Sequence, residues 1–164
     1  MQKEITMTTA RSSLNPILVH VLAIVVVIAV GSGIGTTIGP DEWFRSIEKP
    51  VFNPPSWVFA PVWTILYVFI AIAFARTMLR DPKGPAMQVW IVQMLLNWSW
   101  TPLWFGLHMM WGAFAVIVAL WISILTFIVL TRKTDPVSAL LFAPYLAWVS
   151  FAAVLNGTIA AMNS

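Results

Sequence analysis

Trp63 and Tyr67, Gln93 and Asn97, and Tyr145 and Trp148 stand in long stretches of sequence that carry no charge. Indoles, phenols and amides are poor acids, bases and nucleophiles at neutral pH. They are good at holding a flat apolar molecule, because the rings supply faces and the N–H and O–H groups supply orientation. Their spacing puts them on common faces of helices. Trp63, Tyr67, Ile70 and Phe74 follow at steps of four, three and four, Gln93, Asn97, Thr101 and Trp104 at four, four and three, and Tyr145, Trp148, Ala152 and Asn156 at three, four and four. Polar side chains at membrane depth turn toward the interior of a bundle, since lipid offers them no partner. Three such faces converge on one interior and describe an apolar cavity with a few polar orienters, the general form of a small-molecule site. Taken singly, Gln93 or Asn97 would only bond a neighbouring helix, worth about 0.6–2 kcal/mol. The convergence is what points to a ligand.

Other chemistries lack their residues. The six carboxylates, Glu4, Asp41, Glu42, Glu48, Asp81 and Asp135, fall at the ends of apolar runs or between them, so neither a paired-acid site nor a proton relay is indicated. The chain has no cysteine, which excludes disulfides, thiolate metal sites and cysteine nucleophiles. His20 and His108 have no clustered partner; either is a conceivable axial haem ligand, and a solvated or interfacial role is the ordinary one. No metal site is expected. Gly31 and Gly35 form a small-residue pair, not a phosphate loop. Trp43, Trp57, Trp111 and Trp121 read as loop, turn or lipid-facing residues without a ligand role.

The elements that must position these residues follow from hydropathy. Sixty per cent of the 164 residues are hydrophobic and nine per cent charged, far from a soluble domain. Nine Lys and Arg against six acids, never clustered beyond Arg132-Lys133, exclude a nucleic-acid footprint. A helix crosses the hydrocarbon core with about 20 apolar residues. The charge-free stretch from Gly84 to Thr131 would make a helix about 70 Å long, twice a bilayer core, so it must reverse. Placing the turn at Gly106-Leu107-His108 gives an all-α membrane protein of five spans, at residues 16–38, 60–79, 85–105, 110–131 and 137–162. A tail over residues 1–15 precedes this transmembrane domain of residues 16–162.

Met1 to Ser32 also has the form of a signal peptide, with Lys3 and Arg11 before an apolar core and small residues after it. The apolar stretch runs on to Ile38, which favours a retained helix. Seven Lys and Arg fall on the side of the N-terminus and only Arg45 and Lys49 on the other, which places the N-terminus in the cytoplasm. The connection over residues 39–59 carries Pro50, Pro54 and Pro55, with Pro61 just beyond. It is expected to be a stiff, mostly non-helical lid in which Arg45, Lys49, Pro50 and Pro54 meet a ligand. Ridges of small residues, Ala115, Ala119 and Ser123 or Gly31 and Gly35, are candidates for a dimer face.

The run from Glu48-Lys49-Pro50 through Asn53-Pro54-Pro55-Ser56-Trp57 to Pro61-Val62-Trp63-Thr64-Ile65-Leu66-Tyr67 resembles the hallmark loop and second helix of the translocator protein (tryptophan-rich sensory protein) family. Gln93 to Pro102 resembles that family's third helix, and Phe142-Ala143-Pro144-Tyr145-Leu146-Ala147-Trp148 its fifth. The match extends from about Ile17 to Asn156. It implies a homodimeric five-helix bundle in a bacterial cell membrane, with a cavity closed by the first loop. Porphyrins such as protoporphyrin IX, or haem, enter as ligands and not as required cofactors. In some members sterols and synthetic isoquinoline compounds bind as well. Trp63 and Trp148 match family tryptophans that flank the ligand and are implicated in light-dependent porphyrin breakdown. Asn97 matches a polar cavity residue, and Ala152 a small residue lining the pocket. After Trp148 there is no Tyr, Lys or Arg, so the sterol-recognition pattern of the animal members is missing there.

The expected function is a membrane receptor or sensor for porphyrins that regulates tetrapyrrole or stress responses. Two alternatives stand beside it. A tetrapyrrole or sterol transporter is disfavoured by the lack of a carboxylate inside a span and of a duplicated half. An enzyme that degrades porphyrin in light, with Trp63 and Trp148 as its reactive groups, needs no acid–base pair and stays open.

Overall fold

The computed structural model describes residues 15–164; the tail expected over residues 1–15 lies, but for Asn15, outside them. Helices are α1 (Pro16–Thr37), α2 (Glu42–Ser46), α3 (Phe59–Arg80), α4 (Pro85–Thr101), α5 (Met110–Thr131) and α6 (Pro136–Met162), and no strand occurs among the described residues. Proline opens three of the long helices, at Pro16, Pro85 and Pro136, where its missing N–H is no loss. Asn15 caps α1, its Oδ1 accepting from the backbone N–H groups of Ile17 and Leu18 at 3.0 and 3.4 Å.

Four helical stretches, Pro16–Thr37, Ser56–Arg80, Met110–Thr131 and Pro136–Met162, are long and apolar enough to cross a membrane. The fifth long helix, α4, has 17 α-helical residues and then changes form. Pro102 has no N–H to give and its ring crowds the carbonyl four residues back. The chain answers by widening into a π-helical turn over Pro102–Gly106, closed by Leu107 N–H to the Pro102 carbonyl at 2.9 Å. The reversal follows at His108, whose φ of 52° is left-handed.

Around the bundle α1 packs on α3, α3 on α6, α6 on α5 and α5 on α4, while α4 closes only loosely onto α3 and α1. The core is densest toward the end away from α2. Ile70, Ala71, Ala73, Ala75, Ile124 and Phe142 are fully buried there, and Phe127 stacks on Phe142 at 4.1 Å. Three alanines at alternate positions leave no bulk between helices and let backbones approach. Outward-facing Ile17, Leu18, Val21, Leu22, Val25 and Val26 make α1 an apolar surface of the kind lipid covers.

The connection from Gly39 to Val58 is less irregular than expected. Asp41 caps α2 by accepting from Phe44 N–H at 2.9 Å, and Ser56–Val58 forms a 3₁₀ turn. Between them the chain is non-helical, as its prolines require. The segment is pinned at two points: His108 Nε2 lies 3.1 Å from Asp41 Oδ2 with Trp43 stacked on the imidazole, and the Asn163 side chain bonds both the N–H and the carbonyl of Glu48. His108 therefore has a partner that the sequence did not reveal. The Phe44 backbone N–H, helped by His108, holds the Asp41 carboxyl below its ordinary range.

Candidate functional site

The loose closure of α4 onto α1 and α3 leaves a cavity of about 450 Å³ beneath the 39–58 segment, within the ordinary range for small-molecule sites. Its walls come from the C-terminal half of α1, the N-terminal half of α3, the end of α4 with its π turn, Ile117 and Leu120 of α5, and the C-terminal half of α6. Among the described residues no charged side chain lines it. The π turn brings Trp104 and Phe105 to this wall, and Trp104 stacks on Trp100 at 5.9 Å.

Aromatic planes dominate. Trp63 lies 5.4 Å from Tyr67, and Trp148 lies edge-on to Phe59 at 5.7 Å and beside Phe151 at 5.6 Å. Among the described residues neither Trp63 nor Trp148 gives its indole N–H to another group, whereas Trp100 donates to Asn156 Oδ1 at 2.8 Å. Behind the wall runs a chain of neutral groups. Tyr67 Oη donates to Asn97 Oδ1 at 3.2 Å, Asn97 Nδ2 donates to Tyr145 Oη at 2.8 Å, and Tyr145 Oη donates to Gln93 Oε1 at 3.1 Å.

Of the residues anticipated as ligand-binding, Trp63, Tyr67, Asn97, Trp104, Trp148 and Ala152 line this cavity. Gln93 and Tyr145 do not: both are fully buried one layer behind, bonded to each other, with Tyr145 also bonded to Asn97. They share the predicted faces, but helical phase says nothing about depth. In the lid Pro54 lines the cavity, while Arg45, Lys49 and Pro50 lie outside it. Lys49 Nζ donates to the Ile47 carbonyl at 2.9 Å and sits 4.7 Å from the ring of Phe44, itself a lining residue. His20 bonds its own helix at the Pro16 carbonyl and, like His108, is off the cavity.

Several lining residues escaped the sequence reading. Trp100 lies three residues after Asn97 and four before Trp104, a phase that was there to be read. Phe59, four residues before Trp63, and Phe151, three after Trp148, carried the same signal, whereas Phe44 in the connection had none. Trp43 lies in the connection, as expected, whereas Trp121 is half-buried between helices and not lipid-facing. Trp43 packs edge-on to Trp104 at 6.3 Å, and Trp121 donates to Ser150 Oγ at 2.8 Å, tying α5 to α6. Gly31 proves to be an internal contact: a Cβ there would sit 2.8 Å from the Tyr67 hydroxyl oxygen and closer still to its ring. Only glycine lets Tyr67 lie against α1 in this way.

With this geometry in hand, the chain can be set beside known proteins. The family model described as "TspO/MBR family" matches residues 21–162. The chain belongs to the TspO/MBR family. Relatives include the "Tryptophan-rich protein TspO" of Chlorobaculum tepidum, 40% identical over 154 residues, 90% of this chain and 97% of that one. Another is "Protein CrtK" of Rhodobacter capsulatus, 36% identical over 133 residues, 79% and 83% of the two chains. The human "Translocator protein" is 30% identical over 122 residues, 70% of this chain and 71% of that one. As a member of this family with four apolar helices of spanning length, the protein is a multi-pass integral membrane protein.

Proposed function

We propose that this TspO/MBR protein is a membrane receptor or sensor that binds porphyrins, protoporphyrin IX foremost, and related flat apolar ligands in the cavity under the 39–58 segment. The observation that carries the reading is a cavity walled by Trp63, Trp100, Trp104 and Trp148, with no charged lining residue and no partner for the indole N–H groups of Trp63 and Trp148 among the described residues. Rings offer the faces of a tetrapyrrole large dispersion contacts, and the free N–H groups reward a carbonyl or carboxylate at its edge. Arg45 and Lys49, outside the cavity, would take the propionates at its lip. Equilibrium titration of purified protein with protoporphyrin IX, haem and a sterol tests this. Saturable porphyrin binding with a weak sterol response is expected, and a sterol bound more tightly than either porphyrin contradicts it.

The same reading makes α4 with its π turn a fifth span, puts the N-terminus in the cytoplasm and pairs two copies as a homodimer. Because the chain has no cysteine, Ser46→Cys and Pro82→Cys report orientation: the first is labelled from outside the cell and the second only from within. A second reading, light-dependent oxidative degradation of the bound porphyrin, is favoured by Trp63 and Trp148 lining one cavity, where an excited ring and two oxidisable indoles would be held together. A discrete open-chain product, lost in Trp63→Phe and Trp148→Phe and formed beyond one equivalent, would establish it.

A further inference from the structure

The buried chain behind the cavity wall has a direction, and direction decides what the cavity can recognise. At its inner end Gln93 turns Oε1 to Tyr145 and leaves Nε2 at 3.8 Å from Met94 Sδ. A thioether is a weak acceptor and no donor, so it suits an N–H and offers nothing to a carbonyl. The Tyr145 hydroxyl therefore sends its proton inward to Gln93. Its oxygen is left to accept from Asn97 Nδ2, and that orients the Asn97 amide so that Oδ1 takes the proton of Tyr67. Every member is buried or half-buried in low dielectric, where such a chain polarises along one sense.

Tyr67 is the member of this hydrogen-bonded series whose hydroxyl lies on the cavity wall, which Ser32, Thr36, Ser56, Thr64 and Thr101 also line. With its proton committed to Asn97 it has only lone pairs to offer. We infer that Gln93, as a positioning residue outside the cavity, sets the polarity of the Gln93–Tyr145–Asn97–Tyr67 chain and makes Tyr67 a hydrogen-bond acceptor, so that this wall selects flat ligands bearing an N–H or O–H donor. The free indoles of Trp63 and Trp148 supply the opposite preference, giving the cavity a donor side and an acceptor side. This inference rests on the proposed ligand cavity and adds a rule for which ligands it takes.

Three flat tricyclic probes of nearly equal size test it: carbazole carries an N–H donor, 9-fluorenone a carbonyl acceptor and fluorene neither. Binding is measured by equilibrium dialysis of protein in lipid nanodiscs against empty nanodiscs. Wild type binds carbazole about three- to tenfold more tightly than fluorene, the size of one neutral hydrogen bond. Tyr67→Phe removes that advantage and leaves fluorene unchanged. Gln93→Leu deprives Tyr145 of its acceptor, so the chain reverses and Tyr67 turns its proton to the cavity. Carbazole then weakens while 9-fluorenone tightens, whereas a merely structural role for Gln93 would weaken all three in parallel. Parallel weakening in folded Gln93→Leu, or equal binding of carbazole and fluorene by wild type, overturns the inference. Should Gln93→Leu fail to fold, the Tyr67→Phe comparison decides alone. If no probe binds wild type at all, the cavity reading beneath it falls, a result distinct from binding without preference.

Discussion

The two ends of the bundle bury polar groups in opposite ways. Away from the cavity, Asp135 caps α6, accepts from Ser138 Oγ at 2.6 Å, and receives Arg76 through Nε and Nη2 at 2.6–3.2 Å, with Arg80 close by and bonded to the Thr134 carbonyl. Burial opposes charge on Asp135, but the hydrogen bonds from Arg76 and Ser138 outweigh it and hold the carboxyl below its ordinary value. That end is charged, saturated and closed. At the cavity end the buried groups are neutral amides and phenols, and donors on Trp63 and Trp148 are left over. An end whose buried polar groups have partners locks helices together; an end with spare donors beside an open volume can take a ligand.

Breaking the saturated end should have the largest effect. Asp135→Asn leaves the partly buried Arg76 without its counter-ion and is expected to lower stability by about 2–4 kcal/mol, with ligand affinity unchanged. Thermal melts in detergent check this. The pH dependence follows from sign: because the native carboxyl titrates below its ordinary 3.8, the contribution is complete above that value and is lost as pH falls through the lower native one. The variant should therefore show a flatter acid limb. An equal loss of ligand affinity would mean that the two ends are not independent.

Gly31→Ala comes next and acts at the other end. The new methyl must displace the Tyr67 ring or part α1 from α3, at about 1–3 kcal/mol. Unlike Asp135→Asn, it should also weaken binding, because it pulls Tyr67 off Asn97. Gly33→Ala, in open space and off the cavity, serves as the matched control.

These two ends also mark how far the sequence could be read. Long uncharged runs and the need to reverse between Gly84 and Thr131 announced the helices, and the steps among Trp63, Tyr67, Asn97 and Trp148 announced a shared interior, because periodicity reports the direction a side chain takes from its helix axis. It does not report distance, so Gln93 and Tyr145 share a helical face with residues that lie in front of them. The Arg76–Asp135 pair had no local signal at all. Its members are 59 residues apart and meet only because α3 and α6 pack as neighbours. Pro102 signalled a break in α4, yet the widening that carries Trp104 and Phe105 to the wall is a response that sequence alone does not specify.

The smallest expected effect concerns the lid. Lys49→Gln removes an ammonium that bonds the Ile47 carbonyl and covers Phe44, and should weaken protoporphyrin IX by no more than about 1 kcal/mol. The loss should shrink as salt is raised, since a half-exposed charge is still screened by salt. A salt-independent loss would assign Lys49 to lid packing instead.

In the proposed complex a tetrapyrrole lies between Trp63 and Trp148. The direct measurement is the equilibrium affinity of protoporphyrin IX for wild type, for the Trp63→Phe, Trp148→Phe double variant and for the Trp63→Ala, Trp148→Ala double variant, each verified as folded by its thermal melt. Graded weakening is expected, modest for phenylalanine and about a hundredfold or more for alanine, because two ring faces and two N–H donors are removed together. Unchanged affinity in the folded alanine double variant would place the porphyrin elsewhere and contradict the account.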